Sequence, residues 1–79
     1  MFLEIITPEK KVYTGEVTSV QLPGTAGEFQ VLNNHAPIIS TLKNGKVKVK
    51  DGSGLQTFDI NSGVVEVLKN KIIVLAESA

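Results

Sequence analysis

The chain has 79 residues, which is room for one domain, and its eight lysines balance eight acidic residues without a single arginine. A neutral chain without arginine argues against nucleic-acid binding, and the absence of cysteine excludes disulfides and Cys/His zinc sites. The longest apolar run, Ile72–Ala76, is far shorter than the roughly 20 residues of a membrane-spanning helix. The first residues do not have the pattern of a signal peptide. The sequence therefore predicts a soluble protein that reaches a membrane only through another protein.

The first quarter of the chain predicts two strands. Phe2–Thr7 indicates a strand that ends at Pro8, because proline has no N–H to donate to a ladder. Lys11–Leu22 indicates a second strand, in which Val17 is out of phase with the apolar residues that follow it. A β-bulge near Thr18–Ser19 would reconcile the two phases by adding one residue to the strand.

The next segment predicts a loop and a short strand. Pro23–Gly27 has the composition of a loop, and its two glycines invite comparison with a phosphate-binding loop. That comparison fails, because no Lys-Ser/Thr and no helix follow the glycines. Phe29–Leu32 can form a short strand, and Pro37 fixes the chain where the next strand begins.

The second half alternates with a period of two. Lys46–Lys50 places lysines on one face and valines on the other, which is typical of a half-buried strand. Turn residues separate runs of this kind at short intervals, and Asn61–Gly63 is one of these turns. The pattern predicts a meander with strands near residues 46–51, 55–60, 63–68 and 71–76. The fold class is therefore all-β.

Ile72–Ala76 is apolar on both faces of its predicted strand. Either a loop of the chain covers the second face, or another subunit does. Periodicity alone leaves both alternatives open.

No catalytic or metal-binding constellation is visible. His35 is the only histidine, and a single histidine before Ala36-Pro37 is more often bonded to local backbone than catalytic. Lysines 43, 46, 48 and 50 form a basic stripe, which indicates a solvated strand face that also discourages edge pairing. The sequence predicts neither an enzyme nor a cofactor.

The segment from Leu22 to Leu42 carries a Pro-Gly, a Gly-Glu, a short hydrophobic strand, and then His-Ala-Pro with two aliphatic residues before a serine. This order closely resembles the signature of the epsilon subunits of F-type ATP synthases. The flanking segments Tyr13–Val17, Asn61–Val67 and Ile73–Ala76 resemble the family in the same register, so the resemblance spans essentially the whole chain.

The resemblance implies a flattened β-sandwich of about eight to ten short, mainly antiparallel strands that fills residues 1–79. Family members usually continue into a C-terminal helical hairpin, which carries their ATP-responsive site and autoinhibitory arm. We expect that hairpin to be absent here, so that the chain binds no nucleotide and does not block rotation by that route.

The resemblance also implies a mechanical role, in which the domain joins the gamma subunit to the membrane c-ring during proton- or sodium-driven ATP synthesis. It places the domain at the cytoplasmic face of a bacterial inner membrane, held there through the complex. The residues that it assigns to the c-ring contact are Gly27 and Glu28. The residues that it assigns to the gamma contact are Thr7, His35, Ile38 and Ser40.

A carrier domain of the lipoyl or biotinyl type is the alternative from another class. Such domains are also near 80 residues, all-β, and present one lysine at a hairpin tip. Lys43, before Asn44-Gly45, is the nearest candidate, although Leu42 and Asn44 do not match the motif of such domains.

Overall fold

The computed structural model describes all 79 residues and contains eight β-strands and no helix. The strands are β1 (Phe2–Ile6), β2 (Lys11–Glu16), β3 (Ser19–Gly24), β4 (Gly27–Leu32), β5 (Ile38–Leu42), β6 (Gly45–Asp51), β7 (Gly54–Leu68) and β8 (Lys71–Ser78). The predicted all-β class and strand number are confirmed. The structure accordingly offers no helix with the length and apolar character that crossing a membrane requires.

The strands form one continuous sheet that folds over into two layers. The first layer has the order β2-β1-β8-β7-β5, and the second contains β6, β3, β4 and the first half of β7. Only β1 and β8 pair in parallel, so the sandwich is mainly antiparallel as predicted. The molecule measures 25 × 25 × 18 Å, which fits two sheets packed about 10 Å apart.

β7 runs without a break through both layers. Residues 54–60 pair with β6 and residues 63–67 pair with β5, in one unshifted register. The prediction of a turn at Asn61–Gly63 is therefore wrong. These residues bend the strand at the corner of the sandwich, where Ser62 has a φ of 38° and its N–H donates to Asn44 Oδ1 at 2.9 Å.

The chain changes layers between β2 and β3. Val17 N–H donates to the Met1 carbonyl and Thr18 N–H to the Lys50 carbonyl, each at 2.8 Å. Val17 thus bonds toward the first layer and Thr18 toward the second. The prediction of one long strand with a bulge is wrong, and the phase change marks this crossover.

The predicted loop at Pro23–Gly27 is mostly strand. Gly24 and Gly27 pair directly, which leaves a two-residue turn at Thr25-Ala26. Pro23 is tolerated inside β3 because the β6 ladder covers only Ser19–Gln21, so no partner needs its missing N–H.

The core lies between the layers and is filled by the inward residues of alternating strands. Val47 and Val49 are fully buried while the flanking lysines point away, as the alternation predicted. The sixteen buried apolar residues are Met1, Leu3, Ile5, Val17, Val20, Leu22, Val31, Leu42, Val47, Val49, Ile60, Val65, Val67, Ile72, Val74 and Ala76. No buried side-chain polar atom lacks a hydrogen-bond partner.

Candidate functional site

The outward side of the first layer carries a group of exposed apolar side chains. Ile39 is 73% exposed, Leu75 54%, Leu68 49% and Val64 38%, and all four point away from the core. Contiguous exposed apolar surface of this kind marks an interaction site in a soluble protein. We call this surface the apolar face, and it consists of Ile6, Ile39, Val64, Leu68, Ile73 and Leu75.

Cross-strand pairing makes these residues contiguous. Val64 pairs with Leu75, which pairs with Ile6 on β1. A groove of about 640 Å³ follows this row across the end of the layer, from Thr7 to Thr41. Two smaller hollows, of about 260 and 330 Å³, flank Glu66 further along the face.

The apolar face excludes one of the two alternatives for Ile72–Ala76. Ile72, Val74 and Ala76 enter the core, whereas Leu75 stays more than half exposed. No loop of the chain covers the outward residues, so the alternative of coverage by a loop is wrong. Coverage by another subunit remains a proposal.

The outward side of the second layer has the opposite character. Its residues are Gln21, Glu28, Gln30, Lys46, Lys48, Lys50, Thr57 and Asp59, together with two leucines at its ends. Lys46 pairs with Asp59 at 2.8 Å, and both side chains are mostly exposed. The leucines, Leu32 and Leu55, are separated by Ser19 and Lys50 and form no patch. This side is the solvated one.

The predicted gamma-contact residues border the apolar face without forming its centre. Thr7 is buried in the turn after β1, where its hydroxyl oxygen accepts from Glu9 N–H and Lys10 N–H at 3.3 and 3.2 Å. His35 lies in the connection before β5, and its Nδ1 is 2.7 Å from the Ala36 carbonyl oxygen. Its local bonding matches the structural role that the sequence indicated.

Ile38 and Ser40 share the side of β5 that carries buried Leu42. Ile38 packs against the core, and both residues are half-buried. Ile39, between them, is the most exposed large apolar residue, and the sequence analysis missed it. Strand alternation counted back from Leu42 would have placed Ile39 outside.

The predicted c-ring residues lie at the start of β4, away from the apolar face. Gly27 and Glu28 are both exposed, and Glu28 Oε1 accepts from Gln21 Nε2 at 3.1 Å. The neighbouring turn touches β5, where the Thr25 and Thr41 hydroxyls are 2.8 Å apart. The c-ring candidates are adjacent in sequence, and the turn before them contacts Thr41, the residue after the gamma candidate Ser40.

The charges on the first layer are unequally neutralised. Glu4 lies within 3.3 Å of Lys11 Nζ and 3.8 Å of Lys71 Nζ, and its side chain is only 17% exposed. Glu66 is exposed and forms no ion pair, although Ile39 and Ile73 are its direct cross-strand neighbours.

A tyrosine–carboxylate contact ties β2 to the β6–β7 turn. The Tyr13 hydroxyl donates to Asp51 Oδ2 at 3.1 Å, and the Tyr13 ring meets Phe58 edge-on at 5.5 Å. Burial, and then the Asp51 carboxylate, raise the pKa of Tyr13. Hydrogen bonds from the Ser53 N–H and hydroxyl lower the pKa of Asp51. The contact holds β2 against the end of β6, which is a structural role.

The structure also contains no group of three or more His, Cys, Asp or Glu residues placed to hold a metal ion. The class is therefore a small two-layered β-sandwich domain with one polar side and one uncovered apolar face.

Comparison with known proteins places the chain within that class. Residues 1–79 match the family model described as ATP synthase, Delta/Epsilon chain, beta-sandwich domain. The chain therefore belongs to the β-sandwich family of ATP synthase delta and epsilon chains.

Curated relatives agree with this family. The chain is 44% identical over 79 residues to the ATP synthase epsilon chain of Caulobacter vibrioides, covering all of this chain and 92% of the relative. It is 45% identical to the epsilon chain of Chlorobium limicola, covering 95% and 86% of the two chains. It is 48% identical to that of Desulfatibacillum aliphaticivorans but spans only 57% of that relative.

Solved structures show the same fold. A chain of the Euglena gracilis mitochondrial ATP synthase superposes with a TM-score of 0.89 at 18% identity, over 96% of this chain and 49% of that one. A chain of the Tetrahymena thermophila central stalk and c-ring gives a TM-score of 0.83 at 16% identity, over 95% of this chain and 61% of that one.

The family assignment also removes the carrier-domain alternative. Lys43 lies at a bend between β5 and β6, which pair with β7 in one register, and not at a hairpin tip.

Proposed function

We propose that this chain is an epsilon-type, non-catalytic subunit of the central stalk of a rotary ATP synthase. In this role it joins the gamma subunit to the c-ring, so that rotation of the ring during proton- or sodium-driven synthesis reaches the catalytic head without slip. Membership of the family and the uncovered apolar face together support the proposal. The two solved structures that share this fold come from ATP synthase assemblies that include the c-ring.

In this proposal the gamma subunit covers the apolar face. The exposed side chains of Ile39, Val64 and Leu75 form the centre of the contact, and an apolar centre with a polar rim is typical of stable interfaces. His35 and Thr7 lie at opposite ends of this surface, His35 at its rim and Thr7 buried in the turn after β1. Ile38 and Ser40 act from beneath, because they hold β5 against the core and so position Ile39.

The c-ring contact in this proposal lies on Gly27 and Glu28. Glu28 is free to meet basic or amide groups of the ring loops, because its one internal hydrogen bond is an exposed contact with Gln21. Opposite charges at a contact of this kind set orientation more than raw affinity. Glu28 points to the outward side of the second layer, and the apolar face lies on the first layer, so one domain can hold two partners at once.

The coupling role is assigned to the sandwich alone, and neither ATP sensing nor autoinhibition is assigned to residues 1–79. The proposed role requires no covalent chemistry from the domain. Its contribution is stiffness, because eight strands in a continuous hydrogen-bonded sheet transmit torque with little deformation. We place it on the membrane periphery, at the cytoplasmic face of a bacterial inner membrane, through its partners.

Calorimetric titration of the purified chain into recombinant gamma subunit from the same source tests this proposal. We expect a one-to-one complex with a negative heat-capacity change, which is the mark of buried apolar surface. A well-folded gamma subunit that gives no heat and no co-elution with the chain would contradict the proposal. Lys48→Ser, on the solvated side, is the matched control and should bind like the wild type.

A further inference from the structure

Four carboxylates lie on the outward side of the first layer, Glu4, Glu16, Glu66 and Glu77, and Glu4 and Glu66 differ in how they are neutralised. Glu4 has two lysines within 3.8 Å and is mostly shielded by its surroundings. A partner can cover Glu4 without supplying a charge, because the chain itself provides two. Glu66 forms no ion pair and has aliphatic side chains on both sides along its row.

The position of Glu66 puts it inside any large contact on the apolar face. Its cross-strand neighbours are Ile39 and Ile73, and its neighbours along the same side of β7 are Val64 and Leu68. The two hollows of about 260 and 330 Å³ lie on either side of it and share it as a lining residue, and Lys69 and Lys71 line the smaller hollow without forming an ion pair with Glu66. A partner that fills both hollows therefore removes the Glu66 carboxylate from water.

Burying an unpaired carboxylate is strongly unfavourable unless an opposite charge and hydrogen bonds accompany it. We infer that the gamma subunit presents a lysine or arginine to Glu66, seated between apolar side chains that enter the two hollows. This inference rests on the proposed function and adds the chemistry of the partner surface: an apolar contact with one cation at its centre. Charge complementarity of this kind also fixes the register of the two subunits.

The conservative variant Glu66→Gln separates the possibilities by the sign of its effect. With a cation opposite Glu66, the loss of the carboxylate leaves that cation buried and unpaired, so the dissociation constant for gamma should rise by about tenfold or more. Without a cation, the same variant removes an uncompensated buried charge and binding should become tighter. If Glu66 stays in water, binding should not change. Tighter or unchanged binding would overturn the inference.

The experiment is a calorimetric titration of wild type, Glu66→Gln and Glu66→Lys against the gamma subunit, at two salt concentrations. We expect Glu66→Lys to bind more weakly than Glu66→Gln, because it sets like charges against each other. Glu9→Gln is the matched control, since Glu9 is an exposed carboxylate in the turn after β1. Urea unfolding of each variant shows that the fold is retained, because exposed substitutions usually change stability by less than about 0.5 kcal/mol.

Two further readouts keep this inference distinct from the proposed function. If the wild-type chain does not bind gamma at all, the proposed function fails. If wild type binds and Glu66→Gln binds equally well, only the cation is refuted. Sedimentation of the isolated chain is measured in parallel. A dimer that Glu66→Gln dissociates, with unchanged affinity for gamma, would assign the cation to a second copy of the chain and overturn the inference.

Discussion

Shortening Ile39 to alanine perturbs the apolar face without touching the core. Ile39 is 73% exposed on β5, whereas its neighbour Ile38 is half-buried and packs against the core cluster. The two residues have the same side chain and adjacent positions. Ile39→Ala and Ile38→Ala therefore form a matched pair that separates binding from folding.

The expected magnitudes follow from exposure. Full burial of an isoleucine side chain stabilises by about 1.5–3 kcal/mol, and nearly three quarters of Ile39 remains available for a partner to bury. Alanine keeps only the first carbon of the side chain, so Ile39→Ala should lose about 1–1.5 kcal/mol of binding, or roughly tenfold in the dissociation constant. Ile38→Ala should instead lower the free energy of unfolding by about 1–2 kcal/mol, below the full cost for a buried site.

The assay combines calorimetric titration against gamma with urea unfolding of the free variants. We expect Ile39→Ala to bind more weakly while its free energy of unfolding stays within about 0.5 kcal/mol of the wild type. We expect Ile38→Ala, held at low urea where it is folded, to weaken binding less than Ile39→Ala does, because Ile38 is half-buried and packs against the core. The reverse pattern, with binding lost at Ile38 and kept at Ile39, would refute the assignment of gamma to the apolar face.

Three further predictions concern the second contact, the corner of β7 and the response to acid. Glu28→Lys should weaken proton-coupled ATP synthesis by the assembled enzyme while the isolated domain unfolds as before, and unchanged coupling would count against the c-ring site. Gly63→Ala should lower the free energy of unfolding by about 2–4 kcal/mol, because the added carbon would lie 2.9 Å from the Ala76 Cα and because the φ of Gly63 is 157°. A urea midpoint equal to that of the wild type would contradict this prediction and show that the corner relaxes. The pKa of Asp51 is lower in the folded state than in the unfolded chain, so its contribution is present above about pH 4 and is lost as the pH falls through the folded-state value. Asp51→Asn should therefore flatten the fall in melting temperature at acid pH, and parallel curves would contradict this.

The sequence predicted the regular parts of the fold because their alternation has a single interpretation. Lys46–Lys50 places its valines inside and its lysines outside in the structure, as the period of two requires. The prediction of a turn at Asn61–Gly63 was wrong because the residue types that form a hairpin turn also form a bend inside one long strand. Only the pairing with β5 and β6, which lies outside the local sequence, distinguishes the two.

The crossover at Val17-Thr18 shows the same limit. The apolar alternation changes phase at this point, and a β-bulge and a crossover between layers change it in the same way. The partner atoms decide, and these are the carbonyls of Met1 and Lys50, which are distant from Val17 and Thr18 in sequence.

The candidate site was predictable only in part. The resemblance gave Glu28 and the residues around β5, but two adjacent isoleucines hid which of them faces outward. Strand alternation counted back from Leu42 places Ile38 on the side of Leu42 and Ile39 on the opposite side. The sequence could not predict that Glu66 is unpaired. The pairing of β1 with β2 and β8 brings Lys11 and Lys71 to Glu4, and this pairing is not visible in the local sequence.

The most direct test of the central claim uses the absence of cysteine from residues 1–79. Single variants Ile39→Cys, Leu75→Cys and Lys48→Cys place one thiol each on the apolar face or on the solvated side, and the rate of maleimide labelling is measured with and without a saturating gamma subunit. We predict that gamma slows labelling at positions 39 and 75 and leaves position 48 unchanged. Protection at position 48 with free labelling at positions 39 and 75 would contradict the account.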